Sequence, residues 1–185
     1  MTNQRQRLRK DDWITEGLNA LSLHGHTRLK AEPLSRQMKT TKGSFYWHFK
    51  DLQDFHTSVL TRWKELSLSA LADQSQSEAT PVARLTIFAE SLSHPQAPLP
   101  AGIDTPVRAW AHDHHTATDV VASVDQAREQ FLAGILRDLD LPNPDFVHIV
   151  HSALIGFGTL STNNRSANQD TISTLLAALL ALRDA

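Results

Sequence analysis

Residues 34–50, LSRQMKTTKGSFYWHFK, decide the reading of this chain. Leu34 and Met38 stand four apart and give one apolar face to a short helix starting near Ala31. Pro33 falls in the first turn of that helix, where its missing N–H is not required. Lys39-Thr40 form a turn, and Thr41 is placed to cap a third helix that runs into FYWHF. Phe45 and Phe49, again four apart, share the face that anchors this helix to the rest of the fold. Thr41, Lys42, Ser44, Tyr46, Trp47 and His48 are then left facing outward. Two aromatics beside a histidine on a wet helix face serve solubility poorly and suit contact with DNA; the competing reading packs Tyr46 and Trp47 between helices. Gly43 removes a side chain where a phosphate would approach the backbone.

Working outward, Asp11 and Asp12 stand where a first helix should be capped. Trp13, Ile14, Gly17, Leu18 and Leu21 follow as one stripe, and Gly25 stops that helix. Three short, basic helices with a tight turn before the third define a helix-turn-helix. Downstream, Asp51 caps a long fourth helix with Leu52, Phe55, Val59, Leu60, Trp63 and Leu66 inward. Residues 72–80 lose periodicity and predict a loop; Pro81 opens the next helix, with Leu85, Phe88 and Leu92. Residues 93–106, SHPQAPLPAGIDTP, predict a second loop. Further helices are expected at about 104–115, 116–139, 145–163 and 169–183, broken by LPNP at 141–144. The expected fold is all-α, about nine helices, with a DNA-binding domain over 1–50 and a larger helical domain over 51–185.

Charge divides the chain in the same place. Residues 1–50 hold ten Lys/Arg against four Asp/Glu, whereas the remaining 135 hold eight against sixteen. A basic end for a polyanion and an acidic remainder for another task follow from that division. Arg5, Arg7, Arg9 and Lys10 form either an arm across the DNA backbone or minor groove, or a solvated tail. With no cysteine, disulfides and cysteine-ligated metals are excluded. The polar, basic N-terminus is not a secretory signal, and no apolar run approaches a membrane span. A soluble cytoplasmic protein without membrane contact or cofactor is expected. Neither a Gly-rich phosphate loop, a nucleophile elbow nor a paired-carboxylate arrangement points to an enzyme.

The run at 34–50 resembles the signature of the TetR/AcrR regulators, whose helix-turn-helix commonly ends in Lys-Gly-Ser-aromatic/aliphatic-Tyr-x-His-Phe. Leu34 and Met38 match its buried positions; Thr41, Lys42, Gly43, Tyr46, His48 and Phe49 match its third helix; the resemblance covers roughly residues 8–64. Lys39 departs from it, standing where the family usually has the turn glycine, and Thr40 stands where a small apolar residue is usual. A non-glycine at that turn takes a left-handed backbone at a cost of about 1 kcal/mol. The resemblance implies a homodimer placing two third helices in successive major grooves of a pseudo-palindromic, double-stranded operator. Thr41, Lys42 and Tyr46 would then hold phosphates, and Thr40, Ser44, Trp47 and His48 would face base edges, with Gly43 and Lys50 completing the contact set.

In that family the later helices sense a ligand and dimerise. Candidate pocket residues are Trp63, Phe88, Leu92, Trp110, Phe131 and Phe157, with Arg108, His114 and His151 as polar partners; each aromatic taken singly also fits plain core. DTPVRAWAHDHH followed by VDQAREQFL resembles one subgroup of these regulators and carries no ligand identity. His112, Asp113, His114 and His115 point in different directions on a helix, and with His148 and His151 they form no metal spacing. Ala153, Gly156 and Gly158 let a partner helix approach, and Leu175, Leu176, Leu179, Leu180 and Leu182 give the last helix more apolar surface than one face needs. The expected function is a repressor released from its operator by a small-molecule effector. The alternative is a DNA-binding regulator that recruits a protein partner or activates.

Overall fold

In the computed structural model, residues 8–75, 79–93, 98–160 and 165–182 are described. Their helices are α1 (Lys10–His24), α2 (Ala31–Gln37), α3 (Lys42–Tyr46), α4 (Leu52–Ser75), α5 (Pro81–Ser93), α6 (Asp104–Ala111), α7 (His115–Asp138), α8 (Pro144–Leu160) and α9 (Arg165–Ala181). A single 3₁₀ turn, His26–Arg28, links α1 to α2. No strand occurs among the described residues. None of these helices is long and apolar enough to cross a membrane.

Most boundaries follow local chemistry that the sequence announces. Gly25 ends α1 at φ 76°, with its N–H returned to the Leu21 carbonyl. The Thr41 hydroxyl accepts the Ser44 N–H at 3.2 Å, and the Asp51 carboxylate accepts the Asp54 N–H at 2.8 Å. Four boundaries differ, one of them the start of α9, at Arg165 where about 169 was expected. The cap of α1 is Arg9, not Asp11 or Asp12: Asp12 sits one turn in and its carboxylate reaches back to the Arg9 N–H at 2.7 Å. α4 continues to Ser75, so the first four residues of the expected loop are helical. α6 stops at Ala111 because His114 instead caps α7, its Nδ1 accepting the Ala117 N–H.

The turn between α2 and α3 is left-handed at Lys39, with φ 53°. The Thr40 N–H returns to the Ser35 carbonyl at 2.9 Å and the Lys39 N–H to that of Arg36 at 3.2 Å. These paired returns define a Schellman ending normally built on glycine. The same pattern closes α7, where Asp140 has φ 61° and the Leu141 N–H reaches the Leu136 carbonyl.

Apolar burial gathers in two clusters, and they do not divide at residue 50. One joins α1–α3 to the first half of α4, to α6 and to the start of α7, through Trp13, Phe45, Phe55, Trp63, Val107 and Trp110. The other joins the ends of α4 and α7 to α5, α8 and α9, through Phe88, Leu132, Leu154, Ile172 and Leu176. α1 lies so close to α4 that a Cβ on Gly17 would stand 2.7 Å from the Phe55 ring and 2.8 Å from Val59. Glycine is therefore a packing requirement there, despite its cost inside a helix.

Candidate functional site

α3 has only five residues, too few to hold itself together. Its position comes from rings. Phe45 meets Trp13 edge-on at 5.4 Å, Phe49 at 5.0 Å and Phe55 at 5.2 Å, and both Phe45 and Phe49 are buried. Aromatic pairs at these distances add roughly 0.5–1.5 kcal/mol each beyond the burial of their area. The opposite face is left wet: Trp47 is 84% exposed and Tyr46 48%. Trp47 thus does not pack between helices. Thr41, Lys42, Gly43 and Lys50 are also exposed, while Thr40, Ser44 and His48 are half-buried. A Cβ at Gly43 would meet nothing nearer than the Thr41 hydroxyl, at 3.7 Å. The fold itself does not require that glycine.

Beside this face, a cleft of about 690 Å³ is bordered by Arg28, Lys30, Arg36, Lys42 and Tyr46. Glu32 is its acid, and it is paired with Arg36 at 2.9 Å. Arg28 and Lys30 drew notice in the sequence only as part of the basic count, because Arg28 ends the 3₁₀ turn and Lys30 caps α2, where no hydrophobic period marks a site. Lys10 reaches the base of α3, its Nζ 5.0 Å from the Phe49 ring, and Arg9 before it caps α1. Arg5 and Arg7 lie outside the described residues.

The nine pocket candidates fall in three places. Trp110 and His114 belong to the junction with the helix-turn-helix: Trp110 stacks on His26 at 5.9 Å, and His56 meets it edge-on at 5.0 Å. His56 Nε2 donates to the Leu29 carbonyl at 2.8 Å, tying α4 to the segment before α2. Burial lowers the His56 pKa, the Leu29 carbonyl opposes this, and His114 and His26 lower it further. Trp63, Arg108 and His151 meet instead at an ion network. Arg128 holds Asp104 with both terminal nitrogens, Arg108 holds Asp125 likewise, and Trp63 Nε1 donates to Asp104 at 3.3 Å. His151, buried, donates from Nδ1 to Glu129 at 3.3 Å and has Nε2 3.7 Å from Asp125. Burial lowers its pKa against the pull of Asp125 and Glu129. Phe88 and Phe131 pack together at 5.7 Å in the second core, which also holds Leu92 and Phe157.

Among these nine, Leu92 alone lines the cleft of about 400 Å³ found between α4 and α5. Ser67, Asp73, Gln74, Glu90 and Arg128 also line it, and sequence reasoning passed them over. Arg128 did leave a signal. It occupies an inward position in the α7 stripe Val121, Val124, Arg128, Leu132, Ile135, where a charge needs a buried partner. Among the described residues no group of three His, Asp or Glu is arranged to hold a metal.

On the outer face, Ile149, Ala153, Gly156 and Leu160 form one stripe of α8; Leu160 is 84% exposed, and a Cβ at Gly156 would meet nothing within 4 Å. Leu176 and Leu179 do not join that surface: with Ile172 they are buried in the chain's own core, and Leu175 is half-buried.

No protein-family model matches this chain, and no curated protein matches it in sequence. Solved structures do match in shape. An assigned transcriptional regulator from Saccharomonospora viridis, crystallised with choline, is 14% identical and covers 93% of this chain and 95% of its own, at a TM-score of 0.77. An assigned TetR-family transcriptional regulator from Rhodococcus sp. is 12% identical and covers 92% and 98%, at a TM-score of 0.74. The chain shares the all-helical fold of these regulators, from the helix-turn-helix through the helices that follow it.

Proposed function

We propose that this chain is a DNA-binding transcriptional regulator that reads its operator as a homodimer and is released from it by a small-molecule effector. The observation that carries the reading is α3, a helix pinned by buried rings whose outward face shows Lys42, Tyr46 and Trp47 to solvent. Evolution of a stable monomer alone gives no reason for a tryptophan 84% exposed beside a glycine that the fold does not need. Lys42, Tyr46 and Thr41, with Arg28 and Lys30 of the neighbouring cleft, position the protein on phosphates. Thr40, Ser44, Trp47 and His48 reach base edges, and Lys50 flanks them.

Residues 51–185 supply sensing and dimerisation. The stripe Ile149, Ala153, Gly156, Leu160 on α8 supports an isologous interface. The choline held by the S. viridis protein supports small-molecule binding in this fold. Release follows if the effector favours a conformation whose two reading helices are wrongly spaced. In this reading the protein catalyses no reaction.

Fluorescence anisotropy with the DNA flanking the protein's own gene tests it. Tight binding that Lys42→Ala and Tyr46→Ala each weaken is the expected result. Affinity unchanged by both substitutions, on that duplex and on random DNA, overturns the assignment of α3.

A further inference from the structure

We propose that the cleft between α4 and α5 is the effector site, and that it takes a protonated aliphatic amine carrying N–H donors. The claim about DNA release rests on the regulator reading above; the claim about binding does not.

The walls are aliphatic: Leu66, Leu71, Ile87, Leu92, Pro98 and Leu99. Among the described residues nothing aromatic lines the cleft, so they offer neither a stacking surface nor a cage for a cation. An alkyl chain suits these walls better than a planar arene. The polar groups give the head of the molecule. Ser67 is 4% exposed, and among the described residues its Oγ has no hydrogen-bond partner; the Oε1 of Gln74 has none there either. Asp73 on α4 and Glu90 on α5 bring two carboxylates, and no ion pair is formed by either among the described residues. All four groups accept hydrogen bonds.

Arg128 is the one cation among the described residues of the lining, and its terminal nitrogens are already given to Asp104. The unmet demand of the site is therefore for positive charge and for donors together. A carboxylate ligand would add a third anion beside Asp73 and Glu90 and would have to take Arg128 from Asp104. A quaternary ammonium would bring charge without N–H groups, leaving the Ser67 and Gln74 oxygens as they are. A primary ammonium satisfies both demands.

Occupancy has a physical route to the reading head. Asp104 opens α6, and Arg128 holds it there from the wall of the cleft. α6 in turn carries Trp110 onto His26 and His56. A cation beside Arg128 repels it and biases the pair that anchors the start of α6.

Isothermal titration of the full chain with hexylammonium, hexanoate and hexyltrimethylammonium at one ionic strength tests the binding. Hexylammonium should saturate one site per chain, with the other two at least about tenfold weaker. Asp73→Asn combined with Glu90→Gln should weaken it about tenfold without moving the melting temperature, since both side chains are exposed. Ser67→Ala should weaken it several-fold. Equal or tighter binding of hexanoate or hexyltrimethylammonium, indifference to the double substitution, or no saturable binding at all overturns the site. The same titration with labelled operator present separates the two claims. Amine binding that leaves DNA affinity unchanged overturns the effector role alone, whereas a chain that never binds DNA overturns the regulator reading and leaves the amine site standing.

Discussion

Two glycines in the helix-turn-helix serve different masters, and a methyl group tells them apart. At Gly43 a Cβ has room, so Gly43→Ala should leave the melt unchanged or raise stability by up to about 1 kcal/mol, while DNA affinity falls because the methyl stands where a phosphate approaches. At Gly17 a Cβ collides with the buried Phe55 ring, and Gly17→Ala should cost about 1–3 kcal/mol in urea denaturation despite the gain in helix propensity. The exposure of Gly43 was legible because it stands on the wet face of a motif. The packing role of Gly17 was not, since the ring that forbids a side chain lies 38 residues away in sequence. Lys39 was legible in the opposite sense: it occupies a position that glycine usually holds, and its φ of 53° shows why. Lys39→Gly should stabilise the fold by about 1 kcal/mol, seen as a raised urea midpoint. A lowered midpoint would mean that the lysine side chain makes a contact outweighing the strain.

At the scale of elements, helix type and order were readable because each amphipathic stripe repeats inside its own helix. What each helix would pack against was not. Leu176 and Leu179 looked like spare apolar surface on α9, yet Ile172, Leu176 and Leu179 fill the chain's own core. A stripe states that a face is buried and does not name its partner. The exposed stripe of α8 gives the corresponding prediction. Gly156→Arg should shift the solution mass toward a monomer in analytical ultracentrifugation, with little loss of monomer stability because a Cβ there meets nothing. An unchanged mass would remove α8 from the interface. The candidate pocket was the least legible part. Bulky aromatics drew attention as cavity walls, whereas Trp63, Trp110 and Phe88 are buried as core. The lining of the α4–α5 cleft joins aliphatic side chains to Ser67, Asp73, Gln74 and Glu90, none of which stands in a motif; only Arg128, inward in the α7 stripe, left a signal.

For the whole molecule, the first apolar cluster runs from α1 through α4 and α6 to α7, so the reading head and the following helices share a core. Two histidines, His56 at the junction and His151 in the ion network, tie stability to pH. His56 and His151 have pKa values lowered, first by burial, so the folded chain prefers them neutral. That preference is fully present above the ordinary histidine value of about 6.5 and is lost as pH falls through the lowered folded values. Thermal melts should therefore decline below about pH 6.5, and His56→Gln combined with His151→Gln should flatten that decline. An identical decline in the double variant would assign the pH dependence to other groups.

The central claim is that α3 enters DNA with Lys42 on phosphate and Trp47 toward the bases. The most direct test is the salt dependence of binding to one operator duplex, measured for wild type, Lys42→Ala and Trp47→Ala. Each lost phosphate contact should lower the slope of log K against log salt by about 0.9, so Lys42→Ala should reduce it once per subunit. Trp47→Ala should lower operator affinity, keep the slope, and leave random-sequence affinity nearly unchanged. A wild-type slope retained by Lys42→Ala, together with undiminished sequence preference in Trp47→Ala, would contradict the account.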